Sequence, residues 1–300
     1  MMNFEEFKVW VKENITSKDW KETSQVEISV VKKNNGVSKA GLFIRESGQD
    51  VSPILYLDDY YIHYQNGELL ENVIKKIRDD YNEKVQMAAV KIPNLQEFEN
   101  VRGKIIYRLV NYEKNKELLE DCPHRRLHDL AVTFRWVAHI DNDGVSTSLI
   151  TNRQVKEWGI TVNDLVLAAQ QNTPRLFPAK IIDMEEMLAG KMSFILYPSA
   201  IPMYILTNEQ EVNGASALLY GDVLKDFANK KGTDMYILPS SIHEVILLPS
   251  DRINDPTKLL SMVHDANTTV VSIGDVLSDS VYYYDRKTDH ITEIVSDEKM

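Results

Sequence analysis

Ser240, Ser241, His243 and Glu244 gather the residue types of acid–base and hydrolytic chemistry in one short run. A hydroxyl nucleophile needs a base within hydrogen-bond reach, and that base needs a group to orient it. A Ser–His pair two or three residues apart in a tight turn aligns poorly, and no Gly-x-Ser-x-Gly elbow flanks this one. The run therefore reads first as a structural connection whose hydroxyls satisfy local backbone groups, with the four residues kept as candidates for catalysis or recognition. Cys122, His124 and His128 form a second constellation. On a helix, His124 and His128 would share a face and could hold a metal together with Cys122 or Asp129. Pro123 precedes the pair, Arg125 and Arg126 put positive charge beside it, and no third ligand has a defined spacing, so structural or surface histidines are favoured. No Gly-rich phosphate loop and no His-Glu-x-x-His is present, and no cofactor or metal is expected.

The elements around these residues are legible from periodicity. Met235 to Leu238 and Val245 to Leu248 are apolar runs bounded by turn residues, which predicts two central antiparallel strands joined at the sheet rim by Pro239 to Glu244. Earlier in the chain, Phe4, Phe7, Val11 and Ile15 fall on one helical face. Residues 25–31 and 37–45 alternate at period two around Asn35-Gly36, a hairpin signal. Residues 51–64, with Tyr56, Tyr60, Tyr61 and Tyr64, read as a third strand, and 68–81 as a helix. Residues 94–103 suggest a helix, 104–110 a strand, 113–127 a helix broken at Pro123, and 131–140 and 145–150 strands joined at Asp141 to Gly144. Helices follow from Thr151 and Thr161, then a short helical piece within Met184 to Ala200. A strand at 203–207, a helix at 215–230 capped by Gly232, a helix at 257–267, a strand or extended piece at 269–273 and a hairpin of 281–284 with 290–294 complete the chain.

The fold class is α+β: an N-terminal helix–three-strand–helix domain, then a larger α+β part with a candidate repeated β-α-β-β-α unit. The expected division is 1–88, a middle region 89–182, a connector 183–202 and a C-terminal region 203–300. Residues 104–170 and 203–267 run through the same order of elements, and their entry segments are alike, around Arg108-Leu-Val-Asn and Ile205-Leu-Thr-Asn.

The net charge of −11 opposes binding to duplex nucleic acid, which rests on Lys and Arg. No apolar run approaches a membrane span, and Glu5 and Glu6 stand where a signal peptide carries basic residues, so a cytoplasmic location and no membrane partner are expected. A single cysteine leaves no internal disulfide. The aromatic runs, Tyr282 to Tyr284 included, read as half-buried strand residues with a secondary role as a partner-binding face.

The segments NYEKNKELL (111–119), PHRRLHDLA (123–131), NTPRL (172–176), MYILTN (203–208), NGASALLY (213–220), LPSSIHEVILLP (238–249) and LSDSVYYYD (277–285) resemble those of a domain-of-unknown-function family common in anaerobic gut Firmicutes. A fainter similarity over Ala131 to Asn172 links the chain to YtpQ-like proteins. Neither resemblance implies an activity, a cofactor or a catalytic residue. Two function classes follow: a non-catalytic binding or regulatory protein that recognises a protein partner, and a hydrolase-type enzyme with its site near Ser240 to Glu244. A deep pocket of clustered polar groups would mark the second. An exposed aromatic or acidic face would mark the first.

Overall fold

The Asn3 side chain accepts the Glu6 amide at 2.9 Å while the Glu6 carboxylate accepts that of Asn3, a capping box that starts α1 (Phe4–Asn14). The computed structural model describes residues 1–16, 25–45, 52–89, 95–141, 144–191 and 201–294, in two units, Met1–Ile92 and Pro93–Met300. The fold is α+β, with every described strand pair antiparallel. The predicted turn centre Asn142-Asp143, the start of the middle region at Val90 and residues 192–200 of the predicted connector lie outside the described residues.

In the first unit, β1 (Gln25–Lys32) and β2 (Ser38–Arg45) pair from Gln25↔Arg45 to Lys32↔Ser38. Asn35 and Gly36 turn the chain at φ 58° and 72°. The predicted third strand is only partly a strand. β3 covers Ile54–Tyr56, and α2 (Leu57–Gln65) takes the rest. The strand propensity of tyrosine loses here to spacing, since Leu57, Tyr60, Tyr61 and Tyr64 lie at i, i+3, i+4 and i+7. Asp58 and Asp59 occupy the first turn, where the helix dipole favours acid, and Asp58 also accepts the Ala40 amide of β2 at 2.8 Å. α3 (Leu70–Ala89) is longer than its periodicity predicts. The core joins Phe7 and Val11 of α1, Leu42 and Ile44 of β2, Leu57 and Tyr60 of α2, and Ile77 and Tyr81 of α3. Arg78 of α3 donates to the carbonyls of Asn14 and Ile15, satisfying the end of α1.

The second unit holds two sheets. After α4 (Phe98–Arg102), β4 (Ile105–Asn111) leads through a 3₁₀ turn into α5 (Lys116–Glu120), β5 (His124–Leu127), β6 (Leu130–Asp141) and β7 (Gly144–Leu149). β6 takes β4 on one side and both β5 and β7 on the other. The helix predicted for 113–127 is confined to 113–120, because the chain from His124 onward is drawn into the sheet beside β6. α6 (Asn152–Trp158) and α7 (Val162–Leu176) each start in a capping box, from Thr151 and Thr161, and the left-handed Gly159 (φ 65°) ends the first.

The second sheet begins with β8 (Ala179–Asp183), a strand that periodicity alone misses, followed by α8 (Met184–Lys191) and β9 (Tyr204–Asn208). α9 (Val223–Lys231) ends at Gly232 (φ 77°), as its sequence predicts. The predicted 215–230 helix is two pieces. A 3₁₀ segment over Gly214–Leu219 precedes α9, and Asp222 at φ 65° breaks them apart. β10 (Met235–Leu238) and β11 (Val245–Pro249) are the two middle strands of the six, ordered β13–β12–β10–β11–β9–β8, with β12 (Val281–Asp285) and β13 (His290–Ile294) as the last hairpin. Between them α10 (Thr257–Thr269) buries Leu259 and Val263. Residues 270–273 are turn rather than strand, with Val270 82 % and Ile273 74 % exposed.

Residues 104–170 and 203–267 share part of a strand order, with β7 of the first stretch having no counterpart in the second. In each, the first and second strands flank the third: β4–β6–β5 and β9–β11–β10. Both first strands end in Tyr-x-Leu-x-Asn, at Tyr107 to Asn111 and Tyr204 to Asn208. Each final asparagine is buried and caps the turn that follows. Asn111 Oδ1 accepts the Lys114 amide at 2.9 Å, and Asn208 Oδ1 accepts that of Val212 at 3.2 Å.

Candidate functional site

The connection between β10 and β11 is closed by its own side chains. Ser241 Oγ donates to Glu244 Oε1 at 2.8 Å and accepts the His243 amide at 2.9 Å, while the Ser241 amide donates to the Glu244 carbonyl at 3.1 Å. Ser241 is buried, and Ser240, His243 and Glu244 are half-buried. The His243 ring lies elsewhere. Nδ1 accepts the Asn213 amide at 3.3 Å, which leaves the ring proton on Nε2, 3.5 Å from Asp275 Oδ1. Asp275 is itself held, by Ser272 Oγ at 2.6 Å and through its carbonyl by the Ile242 amide at 2.8 Å. Ser241 and His243 thus meet through backbone, and neither ring nitrogen faces the hydroxyl. The arrangement orders a turn; it does not assemble a nucleophile with its base.

The segment Asn213 to Ser216 wedges against this turn. Gly214 is obligatory, since a Cβ there would stand 2.1 Å from Thr207 Oγ1 and 2.5 Å from the His243 carbonyl. The Thr207 hydroxyl donates to that same carbonyl at 2.8 Å. Two residues on, Ser216 Oγ accepts the Leu109 amide of β4 at 3.2 Å. β4 is an edge strand whose outward groups are met by side chains: Asn172 Nδ2 on the Ile105 carbonyl, Thr173 Oγ1 on the Tyr107 amide, then Ser216 on Leu109. The segments 172–176 and 213–220 therefore close a sheet edge.

Cys122, His124 and His128 do not share a helix face. His124 lies in β5, and His128 opens the two-residue turn into β6 at φ 54°. The Cys122 side chain is 1 % exposed, and burial pushes its thiol up to about 11, with Asp121 adding to the effect and Arg135 opposing it. His124 Nδ1 is 3.1 Å from the Cys122 carbonyl, and His128 Nε2 is 3.1 Å from the Ile291 carbonyl of β13. Among the described residues, no group of three or more His, Cys, Asp or Glu side chains could hold a metal ion. The turn at His128 and Asp129 is instead a docking point for 277–285. Asp129 accepts the Ser278 hydroxyl at 2.5 Å and that of Tyr282, and Asn111 Nδ2 donates to the Leu277 carbonyl at 3.1 Å.

Arg108, which no motif or spacing singles out, is the one charged residue in the buried strand Ile105–Asn111. A lone arginine inside an apolar run was the available signal. Its Nε is buried with no hydrogen-bond partner among the described residues. Burial, reinforced by the charge of Arg135 and opposed by that of Asp275, pushes its pKa down to about 9. The guanidinium remains charged at neutral pH.

A surface hollow of about 430 Å³ lies among β8, β9, α8 and α9, lined in part by Asp183, Tyr204, Asp226, Phe227 and Lys230. None of the residues of the β10–β11 turn lines it. Among the described residues no helix is long and apolar enough to cross a membrane. No curated protein and no solved structure matches the chain. A family model, a family of unknown function (DUF5688), matches residues 4–286, and the chain belongs to that family.

Proposed function

We propose that this is a non-catalytic binding or regulatory protein that recognises a protein partner. The observation that carries the reading is the separation of Ser241 from the His243 ring: the hydroxyl serves Glu244 and backbone, and the ring serves Asn213 and Asp275. Asn172, Ser216, Tyr220 and Asp129 of the resembling segments likewise make internal contacts. Exposed apolar side chains support a protein partner: Met262 on α10, then Val270 and Ile273 in the turn after it. The acidic charge of −11 favours a partner with a basic surface and disfavours duplex nucleic acid.

Affinity capture with the full chain, followed by titration of each captured protein in purified form, tests the reading. A direct, saturable interaction weakened by Val270→Asp or Ile273→Asp is expected. Turnover of p-nitrophenyl acetate or p-nitrophenyl phosphate that disappears in Ser241→Ala would replace it with the hydrolase reading.

A further inference from the structure

Arg108, Thr133 and His124 stand in one row across the second unit's four-stranded sheet. Thr133 lies opposite Arg108 in the β4–β6 register, and His124 lies opposite Thr133 in β5–β6. Residues directly opposite in a sheet leave the same face, so all three side chains do. Arg135, two residues along β6 from Thr133, and Arg126, opposite Ala131, leave that face as well. Three arginines therefore share one sheet face in a protein whose net charge is −11.

Two of the three are anchored. Arg135 donates to Thr147 Oγ1 at 2.7 Å and to the Thr147 carbonyl at 3.1 Å. Arg126 donates to the His128 carbonyl at 3.0 Å and lies 4.3 Å from the Tyr112 ring centroid. Arg108 is different. It sits between two small apolar clusters, Val110, Leu119, Cys122 and Ala131 on one side and Ile106, Val137 and Phe177 on the other. Its Nε is buried without a partner, and no carboxylate among the described residues forms an ion pair with it. A leucine or methionine would fill the gap between those clusters at no electrostatic cost. Among the described residues, Asp275 is the one carboxylate whose charge acts on Arg108, and it does so without an ion pair. A guanidinium with a buried, unpartnered donor is destabilising. Its planar fork of donors matches the oxygens of a carboxylate or a phosphate group.

We propose that Arg108 anchors an oxyanion-binding site on this face, taking a carboxylate or phosphate group beside Thr133, Arg135 and His124. The site is independent of the protein-partner reading, and either can fail alone.

Thermal melts of the full chain in potassium phosphate, potassium acetate and potassium chloride at matched ionic strength test it. Stabilisation by a bound ion follows its concentration over Kd, so the wild type melts higher in phosphate or acetate than in chloride, and the larger rise assigns the class. Arg108→Met loses that rise and melts in chloride at or above the wild type, because the buried donor without a partner is gone. Arg108→Lys weakens the anion about tenfold or more, since a point charge replaces a bidentate fork. Arg125→Ala, which removes an exposed charge from the opposite face, keeps the full response. Should Arg108→Met not fold, ³¹P line broadening of inorganic phosphate by wild type and Arg108→Lys replaces the melts and must show the same loss. Equal melting of the wild type in all three salts overturns the proposal. So does an anion response that Arg108→Met or, in the line-broadening form, Arg108→Lys retains in full.

Discussion

The Leu109 amide donates to Ser216 Oγ at 3.2 Å across 107 residues of chain, joining the edge of the first sheet to the segment that braces the β10–β11 turn in the second. The edge strand of one half is thus finished by a side chain of the other. Because both groups are buried, the bond is also exposed to a single substitution.

Ser216→Ala leaves the Leu109 amide buried and unpaired. The expected loss is about 1–3 kcal/mol in a urea titration, with Ser216→Thr less damaging if its hydroxyl keeps the bond. A Ser216→Ala midpoint equal to the wild type would show that water reaches the amide.

Gly214→Ala should be worse. The new Cβ meets Thr207 Oγ1 and two backbone atoms, the His243 carbonyl oxygen and the Asn208 nitrogen, so the turn must shift as a whole. Overpacking of this kind costs about 3 kcal/mol, and a melting temperature within a degree or two of wild type would refute the contact.

His243→Ala removes the acceptor for the Asn213 amide and the neighbour of Asp275. The His243 side chain is 34 % exposed, so solvent replaces part of what is lost, and about 1 kcal/mol is expected. His243→Asn, whose side-chain carbonyl can accept, should recover some of it. An unchanged melt would mean that the ring is held for recognition instead.

Among the described residues, seven tyrosines have raised pKa values: Tyr60, Tyr107, Tyr220, Tyr236, Tyr282, Tyr283 and Tyr284. Burial is the leading cause for all but Tyr283, which is pushed up to about 12 first by its hydrogen bond to Asp234. Their folded values lie above the unfolded value of about 10, so the stability they contribute is complete below that pH and is lost as pH rises beyond it. Absorbance at alkaline pH should show these phenols ionising late, together with unfolding. Smooth titration of all the tyrosines near pH 10 in the folded protein would contradict the packing of β12.

The first unit should fold as a fragment ending at residue 92, since α1, α2 and α3 cover one face-to-face core with β2. A dispersed amide spectrum and a cooperative melt are expected. A collapsed spectrum would show that residues 1–92 depend on the rest of the chain.

Local chemistry decided much of this protein in advance. The helical stripe from Phe4 to Ile15, the Asn35-Gly36 hairpin, the Gly232 cap and the two apolar runs that became β10 and β11 all follow from interactions within a few residues, which periodicity and turn chemistry report. Where local signals conflicted, spacing settled the tyrosines of 57–65 as a helix, and the neighbouring sheet settled the stretch from His124 to Leu127 as a strand. The candidate site shows the same division. Ser241 and Glu244 were legible together because they bond across a turn. Asn213 and Asp275 on His243, Ser216 on Leu109, and the isolation of Arg108 were not, because each depends on strands and loops distant in sequence arriving side by side. A sequence names which groups can bond. Only the packed chain determines which of them are left with a partner and which, like the Nε of Arg108, are buried without one.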